Sequence, residues 1–159
     1  MGRKRDMQRL IRQYKDETGE LEIDMHKVAE YAVSKDWPLP QPRDPLDTLA
    51  KQFTDAAREE IGHDPKSGRP YRVYHAVPIV SGQMTFFHYI DINDAPRKTM
   101  HKSLVNRREQ MVGDGLQLTL DAMYWNGINP NEEPIVLPMD LGPDIEWRLN
   151  APDDDEEAA

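Results

Sequence analysis

The sequence predicts a mostly helical α+β domain, and three observations carry that expectation. Apolar residues recur at helical spacing in three segments before residue 62. Two alternating segments flank Ser81-Gly82, and further on apolar residues recur every seven positions from Leu104 to Trp125. Periods of 3.6 and 2 are the signatures of helix and strand. With 159 residues, 38% of them hydrophobic, the chain fits one modest core rather than two.

The first helix is expected over about 7–16, where Met7, Leu10, Ile11 and Tyr14 form one stripe, with Gly19 ending it. Leu21 and Ile23 alternate with acids and read as a short strand. Asp24 is a good N-cap for a second helix over about 25–36, lined by Met25, Val28, Ala29, Ala32 and Val33 and stopped by Trp37-Pro38. The proline-rich segment 38–45 reads as a stiff, extended loop. A third helix over 45–61 has Asp44 as N-cap, Pro45 at N1 and Gly62 as its stop. Its expected buried face includes Leu46, Leu49 and Phe53.

Two strands follow, 71–80 and 83–92, joined at Ser81-Gly82. That tip would pair Val73 with Ile90, His75 with His88 and Val77 with Phe86 on one apolar face. The other face also carries Tyr74, Phe87 and Tyr89, which suggests partial cover. A long helix over about 96–125 carries Leu104, Met111, Leu118 and Trp125, with Gly113-Asp114-Gly115 weakening its centre. The proline-rich remainder reads as extended and residues 151–159 as a disordered acidic tail. The expected organisation is thus 1–95, a long helix over 96–126, and 127–159.

Charge is unevenly spread within a net of −9. Residues 1–15 hold six basic groups against one acid, 97–109 five against one, and 140–159 one against eight acids. Such clusters act locally, over about 8–10 Å at physiological salt. Without cysteine, disulfides and thiolate metal sites are excluded. No apolar run approaches the roughly 18 residues a membrane helix needs, and no apolar stretch follows the basic start, so the expected location is the cytoplasm. No phosphate-binding loop, dinucleotide fingerprint, zinc-protease motif or nucleophile elbow occurs. A catalytic role and a cofactor are therefore not expected.

Helix, short strand, helix, helix and hairpin, spanning about residues 7–92, resemble the winged-helix variant of the helix-turn-helix domain. The resemblance rests on element order. It implies that helix 45–61 is the recognition helix, Ser81-Gly82 the wing tip and the long helix a dimerisation element. Two features depart from it. The loop before the third helix has about eight residues, against three or four in a typical helix-turn-helix. The third helix also carries Asp47, Asp55, Glu59 and Glu60 against Lys51 and Arg58, which opposes phosphate.

Candidate nucleic-acid contacts are Arg3, Lys4, Arg5, Arg9 and Arg12 at the start, Lys66, Arg69 and Arg72 beside the hairpin, and Arg97, Lys98, Lys102, Arg107 and Arg108 on the long helix. The alternative is that these residues only solvate their helices. His75 and His88 form a weak candidate metal pair, with a stacked structural pair as the simpler alternative. The leading expectation is a non-catalytic nucleic-acid-binding or regulatory protein, contacting DNA or RNA, and homodimeric through the long helix near Leu104, Met111 and Leu118. The alternative is a winged-helix-like module that binds protein.

Overall fold

A computed structural model describes residues 2–152 of the chain. The expected acidic tail lies outside the described residues from Asp153 onward. The elements are α1 (Arg3–Thr18), α2 (Met25–Ser34), α3 (Pro45–Glu59), β1 (Ile61–His63), β2 (Pro70–Arg72), β3 (Tyr74–Ser81), β4 (Met84–Asp91), α4 (Arg97–Ile128) and α5 (Gly142–Leu149). The chain is therefore mixed α+β and predominantly helical, with two small antiparallel sheets. It divides into two compact units, Met1–Gln52 and Phe53–Ala159. No helix among the described residues is long and apolar enough to cross a membrane.

In the first unit, α1 ends where Gly19 turns left-handed and its N–H caps the Lys15 carbonyl. The Asp24 side chain accepts from His26 N at 2.9 Å and starts α2. The two helices meet around Tyr14, Val28 and Ala32, which are the buried apolar residues of the described chain. The Tyr14 and Tyr31 rings pack edge to face with centroids 5.5 Å apart. The Tyr14 hydroxyl donates to Glu20 at 2.8 Å, and that bond to a carboxylate holds its pKa above the usual phenol value. The strand expected at Leu21–Ile23 is a bend, and no strand among the described residues pairs with it. Leu21 is accordingly exposed.

Asp44 caps α3 as expected, accepting from Leu46 N at 2.8 Å. The helix stops at Glu59, however, and Ile61 and Gly62 belong to β1. Its apolar stripe is not buried: Phe53 remains 69% exposed, so it is not the core anchor the sequence suggested.

The strand expected over 71–80 is split at Val73. On one side β2 pairs with β1, Gly62 lying opposite Tyr71. On the other, β3 pairs with β4. Val73 joins the two ladders, donating to the Glu60 carbonyl and accepting from Ile92 N. The hairpin register differs from expectation by two residues. Ser81 pairs with Met84, so Gly82-Gln83 forms the loop and Gly82 takes a positive φ of 62°. Glycine is favoured at the first loop position because it adopts that φ without steric cost. His75 therefore opposes Ile90, and His88 opposes Val77. A shift of two preserves which residues share a face, but it separates the histidines as a direct pair. Phe86, expected in the core, is about half exposed.

α4 runs unbroken through Gly113-Asp114-Gly115. The segment after it is not wholly extended. Residues 135–141 return along the helix, with Asn126 Nδ2 donating to the Ile135 carbonyl and Ile135 N donating to Asn126 Oδ1. α5 then begins at Gly142 with Pro143 in its first turn.

The β1–β2 connection is ordered by Asp64, whose carboxylate accepts from Lys66 N at 2.9 Å and Ser67 Oγ at 3.0 Å. The Lys66 amide, the larger influence, holds this carboxyl below its ordinary pKa. Asp64 therefore stabilises the connection fully above about pH 4, the unfolded value, and the contribution is lost as pH falls through the folded pKa. A side-chain carbon NMR titration should place the Asp64 midpoint below the ordinary aspartate value of about 3.9. A midpoint at or above that value would contradict the loop geometry.

Candidate nucleic-acid interface

Within the second unit, α4 is seated on β3 by one buried hydroxyl. Ser103 Oγ donates to the Ala76 carbonyl, and Ser103 and His75 are the buried polar residues of the described chain. The His75 ring donates from Nε2 to the Arg72 carbonyl at 2.8 Å, an acceptor that fixes the proton on that nitrogen. The two bonds anchor the end of β2 and the first turns of α4 around the same stretch of β3.

Beside this anchor is a cavity of about 390 Å³. Three guanidinium groups line it: Arg58 from the end of α3, Arg72 from β2 and Arg107 from α4. The hairpin supplies the rings of Tyr74, Phe87 and Tyr89, which the two-residue strand period sets on one sheet face. Asn106 and Gln110 add amide donors and acceptors from α4. Arg58 Nε donates to Tyr89 Oη at 3.1 Å, which orients both groups. No carboxylate is among the described residues that line the cavity. Its volume falls in the usual range for a small-ligand site. Planar cations, aromatic faces and amide groups can together hold a phosphate and a stacked heterocycle.

The sequence candidates divide around this cavity. Arg72 and Arg107 line it. Arg108, although adjacent to Arg107, lines a separate groove with Met139 and Asp140. Lys66 and Arg69 lie exposed in the β1–β2 connection, and Arg97, Lys98 and Lys102 lie exposed at the start of α4. Arg3, Lys4, Arg5, Arg9 and Arg12 lie exposed along α1. Of these, Arg3 stacks over Trp37 at 5.9 Å and Arg9 approaches Asp6 at 3.7 Å. His75 and His88 do not form a directly opposed pair, and no group of three metal-ligating side chains occurs among the described residues.

Sequence reasoning missed Arg58, Asn106 and Gln110, which carry no local signal. The aromatic surplus on the second hairpin face was the visible sign of Tyr74, Phe87 and Tyr89. Comparison with protein-family models, curated proteins and solved structures finds no match.

Removing the Ser103 hydroxyl leaves a buried carbonyl without that partner, at a cost of about 1–3 kcal/mol. Ser103→Ala should lower the chemical-denaturation midpoint of the second unit clearly more than Thr119→Ala, whose hydroxyl donates to the Gly115 carbonyl at an exposed position of the same helix. Equal shifts would show that α4 is not seated in this way.

Proposed function

We propose that this chain is a non-catalytic nucleic-acid-binding protein, winged-helix-like in the order of its elements, that grips a single-stranded segment at the Arg58–Arg72–Arg107 cavity. The observation that carries this reading is the convergence of three guanidinium groups and three aromatic rings on one concave surface. Base–aromatic stacking combined with cationic contact to the backbone is how proteins hold single strands with little sequence preference. A 390 Å³ cavity matches one nucleotide in scale and is too small for a duplex. The winged-helix-like part is supported by three helices followed by a hairpin and a further helix. In this reading α3 is not the reading helix, because Asp47, Asp55 and Glu59 oppose phosphate along it.

The second reading, a protein-interaction module, is favoured by one observation: the apolar residues of α4 remain broadly exposed, with Ser103 its only buried residue among those described.

Fluorescence anisotropy with labelled oligo-dT and oligo-rA tests the first reading. Arg107→Ala and Arg72→Ala should each weaken binding on both oligomers and flatten the plot of log K against log salt by about 0.7. Phe87→Ala should cost about 1–3 kcal/mol of affinity, the worth of one stacked base, while leaving that slope unchanged. Undetectable binding at about 50 mM salt, with the fold intact by circular dichroism, would remove this reading and leave protein interaction in its place.

A further inference from the structure

From Met111 onward α4 carries apolar residues on several sides rather than along one face. Its own chain covers only part of it. The returning segment 135–141 lies over the Gly115 side, where a Cβ built on Gly115 would come within 2.9 Å of Met139 Cε. The anchor and cavity occupy Ser103–Gln110 on another side. Beside these lies a stripe of Gly113, Leu116, Leu120, Tyr124 and Gly127, spaced by 3, 4, 4 and 3 residues along one helix face. Leu116, Leu120 and Tyr124 are 60%, 48% and 71% exposed. A Cβ added at Gly113 or Gly127 would meet nothing within 4 Å, so the backbone is bare at both ends of the stripe. The helix is not apolar enough to cross a membrane.

We infer that this stripe is covered by the same stripe of a second copy, in an antiparallel pair whose two-fold axis passes near Leu120. Two observations select that occupant. Gly113 and Gly127 lie equidistant from Leu120, so a two-fold axis there sets each glycine against the other's counterpart and lets the backbones approach closely. Symmetric pairing of a finite stripe buries all of it only when the axis passes through its middle. Charge decides the direction. Arg97, Lys98, Lys102, Arg107 and Arg108 crowd the first part of α4, whereas residues 110–128 carry only Asp114 and Asp121, and Glu132 and Glu133 follow the helix. Antiparallel pairing brings the basic part of each chain toward the acidic part of the other, while parallel pairing stacks like charges. Met111 and Leu118 border the returning segment; Leu116, at one edge of the stripe, borders it as well, whereas Leu120 and Tyr124 line neither groove. The inference is independent of nucleic-acid binding, and its test does not involve the cavity.

The absence of cysteine makes cross-linking a clean test. Light scattering on the full chain at micromolar concentration should give the mass of two 18.4-kDa chains. Under a mild oxidant, Leu120→Cys should cross-link to itself and Gly113→Cys alone should not. A mixture of Gly113→Cys and Gly127→Cys should cross-link. Leu120→Glu, a change at an exposed position, should shift the mass to that of the monomer with the helical circular dichroism of a folded chain. A monomer mass for the unmodified chain, a dimer that survives Leu120→Glu, or self-cross-linking of Gly113→Cys as readily as Leu120→Cys would each overturn the inference.

Discussion

The second unit depends on the seating of α4 against β3, and that seating is polar. Among the described residues its buried side chains are His75 and Ser103, bonded to the backbone carbonyls of Arg72 and Ala76. Ser103 ties the helix to Ala76, and His75 ties β3 to the end of β2. Such bonds are worth little while both partners are present, but removal of one partner exposes the full desolvation cost of the other. They act chiefly as locators, fixing where Arg72, Asn106 and Arg107 stand relative to the hairpin rings. A purely apolar contact would tolerate sliding of the helix along the strand. A hydroxyl aimed at one carbonyl fixes the register and keeps three cations and three rings on one surface.

The same economy of burial leaves apolar surface uncovered. The buried apolar residues of the described chain, Tyr14, Val28 and Ala32, all belong to the first unit. The second unit instead exposes leucine, methionine and aromatic side chains along α4 and the hairpin. The self-association proposed for α4 would supply the missing cover without using the cavity. With an axis at Leu120, the cavities of the two copies lie about 40 Å apart along the helix direction at 1.5 Å per residue. One strand long enough to span that distance would engage both sites and gain avidity from the second.

Local signals in the sequence were legible where a short-range rule decides the outcome. Asp24 and Asp44 cap their helices, and Gly19 ends α1, because capping depends on a few neighbouring atoms. The hairpin faces were legible as well, since alternation survives a shift of two. The register was not, because it turns on which loop position holds Gly82. The split at Val73 was invisible because both flanking strands share one apolar pattern, and the change of partner from β1 to β4 is a tertiary event. Burial of Phe53 was inferred from periodicity, which shows that a face is apolar but not that anything covers it. α5 was overlooked although Pro143 at its first turn, with Ile145 and Leu149 one turn apart, is a helix-start pattern. At the candidate site, charge clusters in sequence were a poor guide: Arg107 and Arg108 are neighbours, yet they line different sides of α4.

If nucleic acid enters the cavity rather than lying along the basic start of α1, amide and side-chain NMR shifts recorded while oligo-dT is added to the full chain should change most at Arg58 and Tyr89 together with Arg72, Tyr74 and Arg107, and little at Arg3, Arg5 and Arg12. Changes centred on α1, with the cavity residues unmoved, would rule out the cavity as the binding site.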